Sequence, residues 1–274
     1  MARSSLPPRI VAWAKPALEG TLLRRVPSFA TVAVLLLGCT SRPISVDGVS
    51  ARGQISTRVG RPGVVVAAPH GSSDLGTGEI AAEIARRTGF GLVVATGFNV
   101  ERDTAEQAGR RYQVNRPLEG VPGRAPAEEM QSDTARSVYD AFERGVREVS
   151  QGPLRFYAEI HGNSRRESAD RIEIATVGVD AEQAVKFRTL LELVREAHLR
   201  TRPGAPRLDV RIEPADPIFY AASGAKRAGI LRLPQRALHI ELPRVARHEA
   251  RELYTLILAD FLVQAIALPL PAAG

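Results

Sequence analysis

This chain has almost no cysteine, no apolar run long enough to span a membrane, and little net charge beyond its first 38 residues. A single cysteine in 274 residues cannot form an internal disulfide. The apolar run at residues 29–37 is too short to cross a bilayer as a helix, which takes about 20 residues. Five of the 37 basic and one of the 30 acidic residues fall within residues 1–38, which leaves 32 basic and 29 acidic residues, a formal net charge of +3. This balance argues against a nucleic-acid-binding protein.

The N-terminal segment has the pattern of a bacterial secretory signal. Arg24 and Arg25 precede the apolar run at residues 29–37, and LLGC at residues 36–39 resembles the lipobox of bacterial lipoproteins. Such proteins are cleaved before the cysteine, which then carries the lipid. We therefore predict a signal peptide at residues 1–38, a lipid on Cys39 and a polar tether at residues 39–60. The protein would then be lipid-anchored in the bacterial cell envelope, on the periplasmic side. The alternative is an ordinary unmodified cysteine near a chain start.

Beyond residue 60, the pattern alternates between strands and helices. Short apolar runs typical of buried strands occur at residues 64–68, 92–95, 157–162, 172–177, 208–212 and 237–242. Apolar residues at spacings of three and four predict helices at about residues 79–87, 132–149, 180–197 and 247–266. This alternation predicts an α/β fold of three layers, with a mostly parallel or mixed sheet covered by helices on both faces.

The same pattern sets the expected domain boundaries. The chain after Cys39 is long enough for one α/β domain with its own core, which we place at residues 61–268, followed by a short tail at residues 269–274. A polar region at residues 97–131 has no convincing periodicity. Loops of that length within compact domains are usually functional or disordered.

Two of the predicted strands end in a histidine followed by a glycine, at His70 and at His161. The carboxyl ends of strands in open α/β sheets form the edge at which ligands bind. Glu159 points to the same side of its strand as His161, and its carboxylate could accept the second ring proton of either histidine. One such histidine is more often bonded to backbone, but two in one domain favour a metal site.

A carboxylate after the first histidine completes a set of metal ligands. Two histidines, one carboxylate and a water form the usual arrangement of hydrolytic zinc. Asp74 is close enough in sequence to share a Zn²⁺ ion with His70 and His161. Glu79 is the alternative, although a carboxylate at that position would also suit the first turn of the following helix.

Further polar residues supply the remaining groups that amide hydrolysis requires. Glu241 lies near the end of the last strand, where it could take a proton from water, although a surface glutamate is the alternative. His239 shares its face and is expected to line the pocket rather than to bind metal. Arg116 and Asn115 could together hold a carboxylate. Further candidates for that role are Arg110, Arg111, Arg244 and Arg247, any of which could instead form structural ion pairs.

Four segments, in this order along the chain, resemble motifs of one group of enzymes. APHG at residues 68–71 with GTGEIA at residues 76–81 is similar to the opening motif of phage-type poly-γ-glutamate hydrolases. RYQVNRP at residues 111–117 and EIHG at residues 159–162 resemble motifs of N-formylglutamate amidohydrolases. Both families belong with the zinc carboxypeptidase-like enzymes, and the resemblance spans roughly residues 62–265.

The resemblance implies a role for each matching residue. It makes His70 and His161 zinc ligands, Asp74 the acidic ligand, Asn115 and Arg116 the substrate-carboxylate pair and Glu241 the general base. The chain departs from the pattern at the acidic ligand: relatives usually place a glutamate at another spacing after the first histidine, whereas here a shorter aspartate follows at His-x-x-x-Asp.

From these residues we expect a zinc-dependent amidohydrolase of carboxypeptidase-like type. Its substrate would be an N-acyl amino acid or a small peptide that bears a free carboxylate. The alternative is a lipoprotein of the same fold that binds peptides or cell-wall fragments without cleaving them, which the unusual aspartate spacing would accommodate. In either case the expected partners are the ligand and, through the lipid anchor, the membrane, but no nucleic acid.

Overall fold

The computed structural model describes residues 53–98, 109–121, 124 and 128–270. The expected signal peptide, Cys39 and most of the tether lie outside this part of the chain, as do residues 271–274. The strands are β1 (Gln54–Arg58), β2 (Arg61–Ala68), β3 (Phe90–Thr96), β4 (Arg111–Tyr112), β5 (Glu119–Gly120), β6 (Phe156–Gly162), β7 (Arg171–Val177), β8 (Asp209–Ile212) and β9 (Arg236–Leu242). The helices are α1 (Thr77–Thr88), α2 (Asp133–Ser150), α3 (Ala181–Leu199), α4 (Ser223–Ala228), α5 (Arg244–Arg247) and α6 (Arg251–Ala265).

Seven strands form one mixed sheet in the order β1-β3-β2-β6-β9-β7-β8. The four central strands, β3, β2, β6 and β9, are parallel. At the two sides, β1 runs antiparallel to β3 and β7 runs antiparallel to β9. The short strands β4 and β5 pair separately. The predicted mixed sheet is therefore confirmed, and the carboxyl ends of β2, β6 and β9 lie side by side.

The two faces of the sheet bury different residues. Alternate positions such as Val66 and Ile160 face a core shared with α1, α3 and α6. The intervening positions, including Ala67, Tyr157 and Ala237, face a core shared with α2. The predicted helices on both faces are confirmed. Because side chains alternate along a strand, Glu159, His161, His239 and Glu241 continue the face that α2 covers further down.

The chain joins the sheet earlier than expected. Residues 54–58, which fall within the predicted tether, form the edge strand β1, paired from Gln54 opposite Thr96 to Arg58 opposite Leu92. Only one side chain of this strand, Ile55, is fully buried. A single apolar residue among polar neighbours gives no period-two pattern, so the strand could not be distinguished from a tether.

The last helix also differs from the prediction. It begins at Arg251 rather than at residue 247, and residues 244–247 form the separate short helix α5. None of the helices in the described residues is long and apolar enough to pass through a membrane.

Candidate metal centre

Three side chains bring their ligand atoms close together at the carboxyl ends of β2 and β6. A tight turn places Asp74 beside His70, because the backbone N–H of Asp74 donates to the His70 carbonyl at 2.8 Å. His70 Nδ1 lies 3.3 Å from Asp74 Oδ2, and His161 Nδ1 lies 3.5 Å from the same oxygen. One ligand atom from each of the three residues lies within 4.8 Å of the other two.

The spacing of these atoms fits a tetrahedral metal. Nitrogen and oxygen ligands about 2.1 Å from a zinc ion are roughly 3.4 Å from one another. The two measured distances to Asp74 Oδ2 are close to this value. Two imidazole nitrogens and one carboxylate are also ligands that zinc prefers. The donor set is therefore suited to hold a divalent metal with one position left open.

The second ring nitrogen of each histidine faces an oxygen. His70 Nε2 lies 3.0 Å from the carbonyl oxygen of Gln113, to which it can donate, and this leaves Nδ1 free to bind a metal. His161 Nε2 lies 3.3 Å from Glu159 Oε1, although the two atoms do not form a well-aligned hydrogen bond. Metal-binding histidines usually have a carbonyl or carboxylate in this position, which fixes the orientation of the ring.

Glu79, the alternative acidic ligand, does not join this cluster. Its side chain is exposed in the first turn of α1, whereas Asp74 is buried. The carboxylate of Asp74 also accepts a hydrogen bond from the backbone N–H of Gly162, at 3.2 Å. This bond links the loop after β2 to the end of β6 and keeps Asp74 between the two histidines.

The electrostatics of the cluster suit a bound cation. Burial alone would raise the pKa of Asp74, but hydrogen bonds and positive charge from His161 and His70 outweigh burial and hold that pKa well below its usual range. Burial would lower the pKa of His161, yet Glu159 and Asp74 raise it to about 10. The metal-free cluster therefore retains a proton on His161 at neutral pH. A metal ion would replace this proton, since ligand histidines bind in the neutral form.

Glu159 is the centre of a buried hydrogen-bond network beneath the cluster. Its carboxylate is completely inaccessible to solvent and accepts bonds from Asn115 Nδ2 and from the Tyr157 hydroxyl, each at 3.2 Å. Its Oε1 also lies 2.6 Å from His239 Nδ1. Burial would raise the pKa of Glu159, but the charges and hydrogen bonds of His161 and His239 hold it well below its usual range. Glu159 therefore carries a negative charge at neutral pH.

Glu241 lies beside the cluster on the neighbouring strand. The register pairs His161 with Glu241 and Glu159 with His239. Glu241 Oε1 lies 3.1 Å from His239 Nε2, while Oε2 is buried with no hydrogen-bond partner among the described residues. The rings of His239 and His161 are 4.1 Å apart. The sequence indicated that His239 would line the pocket, but it gave no sign that this ring joins the two carboxylates.

The predicted carboxylate-binding pair is engaged with protein groups. Asn115 is fully buried and donates to Glu159. Arg116 forms an ion pair with Glu129, at 3.0 Å, and also donates to the side-chain oxygen of Asn115. The preceding residue, Val114, has a φ of 58°, which is strained for a β-branched residue and is typical of functional sites.

A cavity of about 440 Å³ opens above the cluster. Its lining includes His70, Asp74, His161, His239 and Glu241, together with Arg111, Gln113, Arg116, Glu129, Gly162 and residues 219–224. Asn115 is not among these residues. Arg111 has no acidic partner in the described part of the chain, in contrast to Arg116. Among the described residues that line this cavity, Arg111 is therefore the arginine whose guanidinium group has no acidic partner.

The other candidate arginines have structural partners. Arg110 lies 3.5 Å from Glu119, and Arg244 lies 3.1 Å from Glu249. Arg247 is buried and donates to three backbone carbonyls, those of Leu75, Leu242 and Asn163. Arg247 therefore holds the loop after β2 against the ends of β6 and β9, and it is not available to a ligand.

A second cavity, of about 450 Å³, lies at the opposite ends of the strands. Its lining includes Arg61, Arg155 and Arg236, which lie at or next to the starts of β2, β6 and β9, and apolar residues from the end of α6. None of the histidines or carboxylates described above lines it. It is separate from the candidate metal centre.

Comparison with known proteins finds similar solved structures but no matching family. No protein-family model matches the chain, and no curated protein matches it either. Among solved structures, the chain is similar to a bacteriophage poly-γ-glutamate hydrolase at 11% identity, with 81% of this chain and 91% of that chain covered and a TM-score of 0.43.

Two further structures are similar at the same level. One is a zinc-free form of a protein named YNDL, which is 12% identical over 77% of this chain and 89% of that chain, with a TM-score of 0.43. The other is a metallo-carboxypeptidase from Burkholderia cenocepacia, which is 14% identical over 78% of this chain and 61% of that chain, with a TM-score of 0.38. Such values establish neither a family nor an activity, so the function has to be inferred from the residues of this chain.

Proposed function

We propose that this protein is a metal-dependent hydrolase of amide bonds, with Zn²⁺ held by His70, Asp74 and His161. The observation that carries the proposal is the convergence of these three donors, with one nitrogen of each histidine at the spacing of zinc ligands from Asp74 Oδ2. It is supported by the backbone oxygen and the carboxylate that face the outer nitrogens of the two histidines. The open cavity above them gives a substrate access to the site.

The chain supplies the proton transfers that amide cleavage requires. When bound, zinc lowers the pKa of a coordinated water and polarises a substrate carbonyl. Glu241, which lines the cavity, is placed to take a proton from water and to pass it to the leaving nitrogen. Glu159 keeps the His161 ring in position through its buried carboxylate. Each role falls to a residue that already lies at the carboxyl edge of the sheet.

The arginines of the cavity favour a substrate with a free carboxylate. Arg111 faces the cavity and has no acidic partner in the described residues, so its guanidinium can pair with a carboxylate. Arg116 is already neutralised by Glu129 and would contribute less. We accordingly assign the principal carboxylate contact to Arg111, and the substrate class to N-acyl amino acids and small peptides.

We also propose that the enzyme is a lipoprotein of the bacterial envelope, anchored through Cys39 and facing the periplasm. Support for this comes from the sequence of residues 1–39, with its basic flank, short apolar run and lipobox-like end. Metabolic labelling with a fatty-acid analogue tests it, because Cys39→Ser should abolish the label. Labelling that persists in this variant would refute lipidation at Cys39.

Metal analysis and one substitution test the hydrolase proposal. The full-length protein should contain one zinc ion per chain, and chelation should abolish cleavage of N-acyl amino acids and peptides. Glu241→Gln should keep the metal and lower kcat at least a hundredfold, because general-base catalysis typically contributes about 10²–10⁴-fold. Absence of stoichiometric metal, or unchanged turnover in Glu241→Gln, would refute the mechanism. Binding of the same compounds without cleavage would indicate the non-catalytic lipoprotein.

A further inference from the structure

The imidazole ring of His239 lies between the carboxylates of Glu159 and Glu241. Its Nδ1 lies 2.6 Å from Glu159 Oε1 and its Nε2 lies 3.1 Å from Glu241 Oε1. Each ring nitrogen therefore lies within hydrogen-bond distance of a carboxylate oxygen. His239 as a whole residue is 6% exposed. It is therefore held at both ends, in one orientation, by residues of the two neighbouring strands β6 and β9.

The contact with Glu159 is too short for His239 to be a metal ligand together with Glu159. Two ligand atoms of a tetrahedral zinc ion are roughly 3.4 Å apart, because each lies about 2.1 Å from the metal. The measured distance of 2.6 Å between His239 Nδ1 and Glu159 Oε1 is that of a charge-assisted hydrogen bond. The three atoms around Asp74, in contrast, have the spacing of ligands.

The bond from His239 leaves the two oxygens of Glu241 in different situations. Oε1 lies within hydrogen-bond distance of His239 Nε2, whereas Oε2 is buried and has no partner in the described residues. A glutamate side chain has three rotatable bonds, and losing the anchor at Oε1 would allow its carboxylate to rotate. A base contributes fully only when it is held within hydrogen-bond reach of the proton that it removes.

We propose that His239 is a positioning residue, which contacts Glu241 Oε1 and so holds the Glu241 carboxylate in one orientation for proton transfer. This inference rests on the proposed hydrolase function, and it assigns to His239 a role through Glu241 rather than a contact with metal or substrate. Glu159 completes the arrangement by holding the far side of the His239 ring. One buried carboxylate thus lies next to both His161 and His239.

Two substitutions of His239 separate positioning from simple packing. In His239→Gln, the terminal amide nitrogen can stand near the place of Nε2 and still donate to Glu241. In His239→Asn, the shorter side chain places its amide near Nδ1 and cannot reach Glu241. We expect His239→Asn to lower kcat at least tenfold with KM and zinc content unchanged, and His239→Gln to stay within about threefold of the native kcat.

A double variant supplies a readout that a structural role would not produce. If His239 acts through Glu241, the variant His239→Asn/Glu241→Gln should be no slower than Glu241→Gln alone. Native kcat in His239→Asn would overturn the proposal. The proposal would also be overturned if His239→Asn and His239→Gln lowered kcat equally. The same holds if the double variant had a lower kcat than Glu241→Gln alone. Native protein that binds no zinc or cleaves nothing would instead refute the hydrolase function itself.

Discussion

Metal binding at the proposed site should strengthen as the pH rises, because His161 must lose a proton before it can bind. Although burial favours the neutral ring, Glu159 and Asp74 raise the pKa of His161 to about 10. At neutral pH the metal-free site is therefore protonated at this ring, and each metal ion that binds must displace that proton.

The size of the effect follows from the release of one proton. As long as the pH is below the pKa of His161, the apparent metal affinity should rise about tenfold per pH unit. Between pH 7.0 and 8.5 this amounts to an increase of roughly 30-fold. The increase should become smaller as the pH approaches the pKa of about 10.

Zinc affinity measured against a competing chelator over this range provides the assay. Glu159→Gln is the informative control, because it removes the carboxylate charge that raises the pKa of His161 while it keeps the shape of the side chain. Its affinity should depend less steeply on pH than that of the native protein. Equal affinities of the native protein at pH 7.0 and 8.5, or identical slopes in the two proteins, would refute the reasoning.

Three further predictions concern stability and substrate binding. The charged contacts of His161 should stabilise the metal-free protein fully below about pH 6.5 and progressively less as the pH rises toward 10, which urea unfolding at pH 6.5 and 9 would measure. Arg111→Gln should raise KM by roughly 10- to 100-fold, since a hydrogen bond to a charged group contributes about 1.5–3 kcal/mol; steady-state kinetics would test this. Gly162→Ala would place a methyl group 2.5 Å from the Arg247 guanidinium and should destabilise the fold by about 1–3 kcal/mol in urea, in contrast to Gly120→Ala, whose methyl group would meet only an ordinary contact at 3.4 Å.

Most of the fold could be predicted from local patterns. The predicted helices at about residues 132–149 and 180–197 begin at good capping residues, and the side chains of Ser132 and Asp180 accept the N–H of Ala135 and of Gln183 respectively. The central strands are continuous apolar runs because both faces of the sheet are covered. The strand β1 was missed because it lies at an edge and buries little more than Ile55.

The candidate site was predictable only where a residue type and a strand end coincide. His70 and His161 could be found because each lies at the end of an apolar run and precedes a glycine. The ion pair between Arg116 and Glu129 could not be predicted, because Glu129 lies 13 residues later in a polar region without periodicity. Their contact depends on tertiary folding. The position of His239 between two carboxylates likewise depends on the register of β6 and β9, which the sequence does not specify.

One side of the cavity depends on a buried carboxylate that lies outside the metal centre. Glu173 pairs with Glu241 across β7 and β9. Its Oε2 accepts the backbone N–H groups of Phe219 and Tyr220, at 2.9 and 3.3 Å. The Arg165 guanidinium lies over both aromatic rings, 5.4 and 5.7 Å from their centroids. Glu173 therefore holds the segment that forms one wall of the cavity.

Replacing Glu173 should weaken substrate binding more than it slows chemistry. Glu173→Leu removes the charged acceptor of two N–H groups, and a hydrogen bond to a charged group contributes about 1.5–3 kcal/mol. The wall should loosen, and we expect KM to rise roughly tenfold while zinc content and kcat change little. Glu173→Gln retains an acceptor oxygen and should keep most of the native KM. A native KM in Glu173→Leu would show that the aromatic segment is held by its other contacts, and loss of zinc would show that Glu173 supports the metal centre instead.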